Sequence, residues 1–502
     1  MGFLFTSLMA LLLVALAACA VGPNYSHPAA PGVTGYTTVT LPSTTSAAGG
    51  VAQSFVSGQD VSADWWTLFR STQLNSLISA ALANNPSLTA AQDTLIEAQE
   101  NVRAEEGSFL PSLSGSFQAE REQVSSASTA SFGVGGSQTV QSISPFTLYD
   151  ASLSVSYSLD VFGGVRRQVE SLAAQADYER YELEAAYLSL TANIVTAAVT
   201  EASLNAQIDA TNQIIAAEQS QLDILNRQFS FGGVPMANVI SEQATLASTQ
   251  ATLPPLESSL AQVRNQLADY VGVFPANFHI ADFTLADLNL PAALPISLPS
   301  TLVEQRPDIQ AAAAQLHEAS ANVGVATANM LPQITLSAGA GHEALDTATL
   351  FTPQTLLWSL VAGITQPIFE GGTLTAKRKA SVAALRAAGA QYQTTVLSAF
   401  QNVADALQAL QFDADTLAAD QLAEQTSARS LSVTQNQYQL GGQPFTAVLT
   451  AQATYQNAIV ARVKAQATRL SDTAALYQAL GGGWWNRKDV GAAARSCCGI
   501  VP

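Results

Sequence analysis

From position 149 to 161 the chain alternates without a fault. Tyr149, Ala151, Leu153, Val155, Tyr157, Leu159 and Val161 fall on one face, with Asp150, Ser152, Ser154, Ser156, Ser158 and Asp160 on the other. A period of two over that length predicts a two-faced β-strand long enough to cross a bilayer. A weaker alternation at Leu113, Gly115, Phe117 and Ala119 precedes it. Ile334, Leu336, Ala338 and Ala340, then Leu356, Trp358, Leu360, Ala362 and Ile364, predict a third and a fourth strand. On pattern alone, the edge of a soluble β-sandwich is the competing interpretation.

Elsewhere the period is that of a helix. Residues 165–231 contain neither Gly nor Pro, and residues 373–440 contain only Gly389. At ~1.5 Å per residue each of these helices is roughly 100 Å long. Tyr181, Ala185, Leu188, Ala192, Val195 and Val199 step by four and three, as do Tyr392, Val396, Ala399, Val403, Ala406 and Leu410. Both sets predict a coiled-coil seam whose small residues let neighbouring helices approach closely. Shorter helices are predicted near 86–109, 236–271, 308–330 and 445–480, and Pro254-Pro255 should kink or interrupt the second. Taken head to tail, the two short helices of each half match one long helix in length.

These elements repeat. Asn85-Pro86-Ser87-Leu88 matches Arg306-Pro307-Asp308-Ile309, and Leu110-Pro111-Ser112-Leu113 matches Leu331-Pro332-Gln333-Ile334. Phe162-Gly163-Gly164 answers to Phe369-Glu370-Gly371-Gly372, and Phe231-Gly232-Gly233-Val234-Pro235 to Leu440-Gly441-Gly442-Gln443-Pro444. Landmarks in one order make a tandem repeat. Pro291, Pro295 and Pro299 mark the linker between the halves, where they should forbid helix.

Four strands cannot close a barrel, because even small closed barrels need about eight. Two copies of the chain would make eight strands, with a filled interior. Three would make twelve, wide enough to leave a lumen. The expectation is a homotrimer.

Phe3 to Val21 is apolar and uncharged, and it reads as a signal peptide. Its end, Leu16-Ala17-Ala18-Cys19, resembles a bacterial lipobox, which makes Cys19 the expected acylated residue carrying N-acyl and diacylglycerol lipid. Ala20 stands where an inner-membrane retention Asp would be. The start carries no Lys or Arg, a departure from the usual signal. Met1-Gly2 with Thr6 also fits a myristoylation pattern, but that leaves Cys19 and the apolar run without a role. Beyond this segment no run of 18 apolar residues exists, so any crossing of a bilayer has to be made by strands.

Composition removes other classes. There are 20 Lys and Arg against 38 Asp and Glu, a formal net charge of −18. Spread thinly, those cations do not suit a nucleic-acid partner. Charged residues make up 12% of the chain, about half the roughly 25% usual for soluble globular proteins. Three Cys exclude a disulfide framework and a Cys-based zinc site, and Cys497-Cys498 lies in a tail with no evident role. His27, His279, His317 and His342 form no metal or catalytic spacing, and no nucleotide-binding Gly motif occurs. The expectation is a protein that is not an enzyme and needs no cofactor or metal.

The residues resemble the TolC-like outer-membrane factors, specifically the lipoprotein branch that includes NodT and OprM. The resemblance rests on Cys19-Ala20-Val21-Gly22-Pro23-Asn24-Tyr25, on Trp65-Trp66-Thr67-Leu68-Phe69 leading into Leu74 and Leu77, and on Arg306-Pro307-Asp308-Ile309. Asn322-Val323-Gly324-Val325-Ala326 and the two Gly-Gly turns complete it. It implies an α+β membrane protein, a homotrimeric 12-stranded outer-membrane β-barrel with four strands per protomer, continued by a periplasmic 12-helix α-barrel. The chain then divides into a signal peptide (1–18), a lipid-anchored segment with a short equatorial helix (19–85), a first repeat (86–290), a Pro-rich linker (291–299), a second repeat (300–481) and a flexible tail (482–502).

The resemblance also implies the function: the outer-membrane exit duct of a tripartite efflux system, passing drugs or other small molecules from an inner-membrane pump and periplasmic adaptor. A type I protein secretion duct and a periplasmic coiled-coil scaffold lipoprotein are the alternatives. Gly232, Gly233, Gly441 and Gly442 become adaptor-docking turns, although ordinary helix termination would also call for Gly. Related ducts often gate with a pattern like Leu-Leu-Asp-Ala-Gln-Arg. Here Val448-Leu449-Thr450-Ala451-Gln452-Ala453 puts Thr450 at the Asp position, and Val239-Ile240-Ser241 is its counterpart in the first half. Ser241 and Thr450 are therefore the candidate gate, without a charged ring. Asp405, Asp413, Asp415, Asp420 and Glu424 occur with no base between Arg386 and Arg429. Facing a lumen they would favour cations; facing outward they would be a solvated surface, and both readings stay open.

Overall fold

The computed structural model describes residues 20–33, 35–38, 42–47, 51–123, 131–132, 138–139 and 144–487. The signal segment, Cys19, Cys497 and Cys498 lie outside the described residues. The chain divides into two units: Met1–His27, Ile96–Asp177 and Ala314–Ala390 form one, and Pro28–Leu95, Tyr178–Ala313 and Gln391–Pro502 the other.

The first unit holds a four-stranded antiparallel sheet in the order β2-β5-β7-β8, from Ser112–Glu122, Phe146–Leu159, Gln333–Ala344 and Leu356–Thr365. Strand β1 (Ser54–Ser57) precedes it in the chain, and the two-residue strands β3 (Ser131–Phe132) and β4 (Gln138–Thr139) pair with each other between β2 and β5. All four sheet strands are those the alternation predicts. β5 ends at Leu159, two residues early, because Asp160 turns to cap the next helix: its carboxylate accepts the N–H groups of Val165 (3.0 Å) and Arg166 (2.9 Å).

Eight helices of seven residues or more are described: α1 (Thr72–Asn84), α2 (Pro86–Glu106), α3 (Gly164–Ser230), α4 (Met236–Val271), α5 (Pro299–Gln305), α6 (Pro307–Ala328), α7 (Thr373–Gln439) and α8 (Phe445–Ala479). α3 and α7 are each 67 residues long. On α7 every predicted seam residue from Tyr392 to Leu410 is buried. On α3 Ala192, Val195 and Val199 are buried, whereas Tyr181, Ala185 and Leu188 are only partly covered.

Three expectations need correction. Pro254 and Pro255 do not interrupt α4, which runs unbroken through both. The carbonyls they deprive of partners, on Gln250 and Ala251, belong to exposed residues, where water can serve them. The 291–299 segment is more than a linker. Ala293–Ile296 (β6) pairs in parallel with β1, with Pro295 opposite Val56, and Pro299 opens α5 at the first helical position, where a missing N–H costs nothing. The tail is not loose from 482. Gly481, Gly482 and Gly483 all have positive φ, and a Cβ at Gly483 would fall 2.5 Å from the carbonyl oxygens of Val61 and Ser62. Trp484 Nε1 then donates to Gln305 O (2.6 Å), and Arg487 pairs with Glu184 (2.7 Å) while its guanidinium lies 3.8 Å from the Tyr187 ring centre. The pinned chain extends to Arg487.

The core of the second unit gathers Trp65, Trp66, Phe69, Leu74, Leu77 and Ile78 against buried residues of α3, α7 and α8. Trp65 stacks on Tyr477 with centroids 5.3 Å apart, which ties the aromatic motif before α1 to α8. Arg306 ties the repeat start to two other helices. Its Nε and Nη2 grip Asp308 at 3.0 and 2.7 Å, and its Nη1 donates to Ala479 O (2.8 Å) and Ala399 O (3.4 Å).

Candidate functional site

The sheet pairs like with like. Leu113 lies opposite Val155, Gly115 opposite Leu153, Leu336 opposite Tyr157 and Ala362, Ala338 opposite Leu360, and Ala340 opposite Trp358. Directly opposed residues share a face, so the apolar positions of four strands merge into one continuous surface. Leu113, Phe117, Leu153, Trp358, Leu360 and Ile364 are all exposed on it. The other face is polar on β2 and the middle of β5, where Ser114 bonds Ser154 (2.8 Å) and Ser116 bonds Ser152 (3.0 Å), hydroxyl to hydroxyl, and mixed on β8, where Leu357 and Val361 flank Ser359. Among the described residues, β2 and β8 each keep one edge without a partner strand. An apolar surface of this extent is untenable in water and natural in lipid.

The two Gly-Gly turns are built alike. Gly232 and Gly441 take φ of 75° and 76°, conformations that a side chain resists. Gly233 N–H and Gly442 N–H donate back to the carbonyls of Gln228 and Gln437, both at 2.8 Å, closing the ends of α3 and α7. Pro235 and Pro444 then precede α4 and α8. The residues before each Gly pair, Phe231 and Leu440, are 88% and 87% exposed. Sequence reasoning used them as repeat landmarks and missed them as an apolar surface, because nothing local distinguishes them from core residues.

Behind these turns lies a cluster of Leu222, Leu225, Val239, Leu246, Phe445 and Val448. It sets the places of the gate candidates. Val239 and Val448, equivalent in the repeat, point into it, while Ser241 is half-buried and Thr450 exposed. The Thr450 hydroxyl donates to Thr446 O at 3.0 Å on its own helix.

The five acids of α7 are not brought together as one set. Asp405 and Asp415 are exposed and Asp420 is half-buried. Glu424 meets Arg462 of α8 at 2.5 Å, a base that the sequence of α7 alone could not supply. Asp413 is partly buried, and burial together with the bonded, like-charged Asp472 pushes its carboxyl up, against the opposing pull of Arg469.

At the N-terminal end, residues 21–25 are held against the first unit by a connected set of contacts. Val21 N–H donates to Phe162 O (3.1 Å), while Arg167 donates to Val21 O (3.1 Å) and Asn24 Oδ1 (2.6 Å). Arg167 also pairs with Glu170 (2.6 Å), whose other oxygen meets His317 Nε2 (3.0 Å), and the His317 ring stacks on Tyr25 at 4.3 Å. Gly22 has φ +97°, and a Cβ there would lie 2.5 Å from Gly324 Cα. Two glycines thus allow backbone to meet backbone, three residues after Cys19. Among the described residues no group of three or more His, Cys, Asp or Glu could hold a metal ion.

The family described as Outer membrane efflux protein matches residues 77–273 and 298–482. Pyoverdine export outer membrane protein OpmQ of Pseudomonas putida is 30% identical over 423 residues, covering 84% of this chain and 88% of its own length. Among solved structures, the outer-membrane channel OprN superposes with a TM-score of 0.81 at 25% identity, over 93% of this chain and all of that one. The Campylobacter jejuni CmeC outer membrane channel shares the fold, with a TM-score of 0.84 at 22% identity over 95% of this chain and 98% of its own.

Proposed function

Because this chain belongs to the outer membrane efflux protein family, we propose that three copies join their sheets into one 12-stranded barrel around a shared lumen, continued by a 12-helix periplasmic α-barrel. The protein is an outer-membrane exit duct of a Gram-negative bacterium, reaching into the periplasm. The observation that carries the trimer is the sheet itself, with one exposed apolar face and, among the described residues, two unpaired edges. In lipid, each unpaired backbone group costs several kcal/mol. Pairing β8 of one copy with β2 of the next removes that cost, and three copies close the ring with room for water. Such a water-filled passage spares polar cargo the cost of desolvation. Energy comes from an inner-membrane pump reached through a periplasmic adaptor, and the cargo is small molecules, as in the pyoverdine-exporting relative.

The lipid on Cys19 anchors the chain, and the contacts of Val21, Gly22 and Asn24 support this by fixing the segment that follows it. Ser241 and Thr450 flank the narrowest periplasmic part. The deciding measurement uses lipidated protein extracted in detergent. A heat-resistant trimer is expected, with single-channel currents in planar bilayers that divalent cations on the periplasmic side block only weakly, since Thr450 stands where a carboxylate would bind them. A monomer without a pore would overturn the reading, and strong divalent block would overturn the gate assignment.

The turns are where the adaptor docks. Phe231→Ser combined with Leu440→Ser should leave the trimer intact and lower adaptor affinity by about tenfold or more, since each exposed side chain is worth ~1.5–3 kcal/mol when fully buried. Co-purification with the cognate adaptor, titrated by surface plasmon resonance, checks it. Unchanged affinity would move the docking site elsewhere.

A further inference from the structure

Behind the Gly232-Gly233 turn, two carboxyl groups are buried in an otherwise apolar and amide-lined interface. Glu218 of α3 and Glu242 of α4 are both 0% exposed. Glu218 Oε1 accepts three hydrogen bonds, from Thr249 Oγ1 (3.0 Å), Gln452 Nε2 (3.1 Å) and Gln456 Nε2 (2.5 Å). Three neutral donors on one oxygen are the environment of an ionised carboxylate. Glu218 Oε2 and both oxygens of Glu242 have no hydrogen-bond partner. Among the described residues no salt bridge reaches either carboxyl. α3 presents Glu218, α8 presents the uncharged Gln452 and Gln456, and α7 packs Leu431 and the Tyr438 ring on the adjoining apolar cluster. Among the described residues Glu218 is the one charge acting on Glu242.

We propose that Glu218 and Glu242 form a proton-operated clasp: a proton on Glu242 keeps the return helix α4 seated against α3 and α8, and its loss loosens α4 behind the turn. The reason is electrostatic. A second carboxylate in a dry interface, beside one already ionised and holding the available donors, has neither water nor a counter-ion. Burial first, and the Glu218 charge second, raise the Glu242 pKa to about 7.

The sign follows from linkage. With α4 seated, Glu242 titrates near 7; with α4 lifted and solvated, it titrates at the ordinary value of 4.5. The seated state therefore binds more protons between these values, so its stability is complete below pH 4.5, falls as pH rises, and levels off above about 7. In the repeat Ala451 is the counterpart of Glu242, so α8 carries no acid at that position, and its distal part, packed in the separate core around Leu470 and Tyr477, is the internal reference.

The test is amide hydrogen exchange of the full lipidated protein in detergent, corrected for intrinsic chemistry, across pH 4.5 to 8.5. Protection of residues 236–250 is expected to fall by about tenfold or more as pH rises to 7 and then to level off, while residues 463–479, in the core around Leu470 and Tyr477, stay constant. Glu242→Gln, which keeps the shape of the protonated acid, should hold protection high at every pH. Glu218→Gln removes the like charge and should bring the levelling-off to a lower pH. A flat wild-type profile, a Glu242→Gln profile that follows wild type, or a levelling-off point unmoved by Glu218→Gln would each overturn the clasp. The two variants and the wild type are read independently, so misfolding of one leaves the others decisive.

Discussion

Leu360→Arg is expected to remove the heat-resistant oligomer from outer-membrane fractions, while Ser359→Arg, one residue away, leaves it in place. Leu360 is 75% exposed, near the middle of β8, opposite Ala338 and on the face that also carries Trp358 and Ile364. An Arg on the lipid face of a barrel costs about 2–4 kcal/mol near the bilayer midplane. In the proposed trimer that cost recurs in each copy, for a total of about 6–12 kcal/mol per assembly, comparable with the whole stability of an ordinary domain. Ser359 pairs with Gly339 on the opposite face, the one that carries the Ser114–Ser154 and Ser116–Ser152 pairs, where an Arg is expected to stay hydrated in the proposed lumen. Semi-native gel electrophoresis of membrane fractions distinguishes the two variants. Equal oligomer yields would mean that the exposed apolar face does not meet lipid.

The second large effect concerns Arg306. Replacing it by Ala removes a two-pronged grip on Asp308 and the donor that serves Ala479 O at the end of α8. Arg306 is buried and Asp308 only half so. The loss should therefore fall at about 2–4 kcal/mol, between that of a charged hydrogen bond and that of a broken buried pair. Lys in its place keeps the charge but not the planar fork, and should recover less than half. Arg103→Ala is the control, because its pairing with Glu100 is exposed and worth less than about 1 kcal/mol. Denaturant midpoints followed by Trp fluorescence measure all three. Equal midpoint shifts for Arg306→Ala and Arg103→Ala would contradict the clamp.

Much of this was legible in the chain because it depends on periodicity. Leu153 and Val155 alternate with Ser152, Ser154 and Ser156, and a strand has only two faces to offer them. The seam of α7 could be read for the same reason: positions spaced by three and four fall on one side of a helix, whatever they pack against. Gly232 and Gly441 could be read because a helix end needs a residue that tolerates positive φ. What escaped was everything that depends on a second segment. Arg462 neutralises Glu424 from another helix, so a list of acids along α7 misjudged their company. Pro254 and Pro255 looked like breakers because the sequence does not say that Gln250 and Ala251 are exposed. Trp484 and Arg487 looked like tail because their partners, Gln305 and Glu184, are more than 170 positions away.

The sequence by itself determined the strands and their two faces, the long helices, the repeat, the turns that close them, and the insufficiency of four strands to make a barrel. These are consequences of backbone geometry and side-chain period, which act within a few residues. Only the tertiary structure decided which charges are compensated: that Arg306 bridges three segments, that residues 21–25 are seated through Gly22 and Gly324, and that Glu242 is enclosed beside Glu218 with no counter-ion among the described residues. The energy of a charged group is set by what surrounds it within a few ångströms, and for buried groups most of those surroundings come from distant parts of the chain.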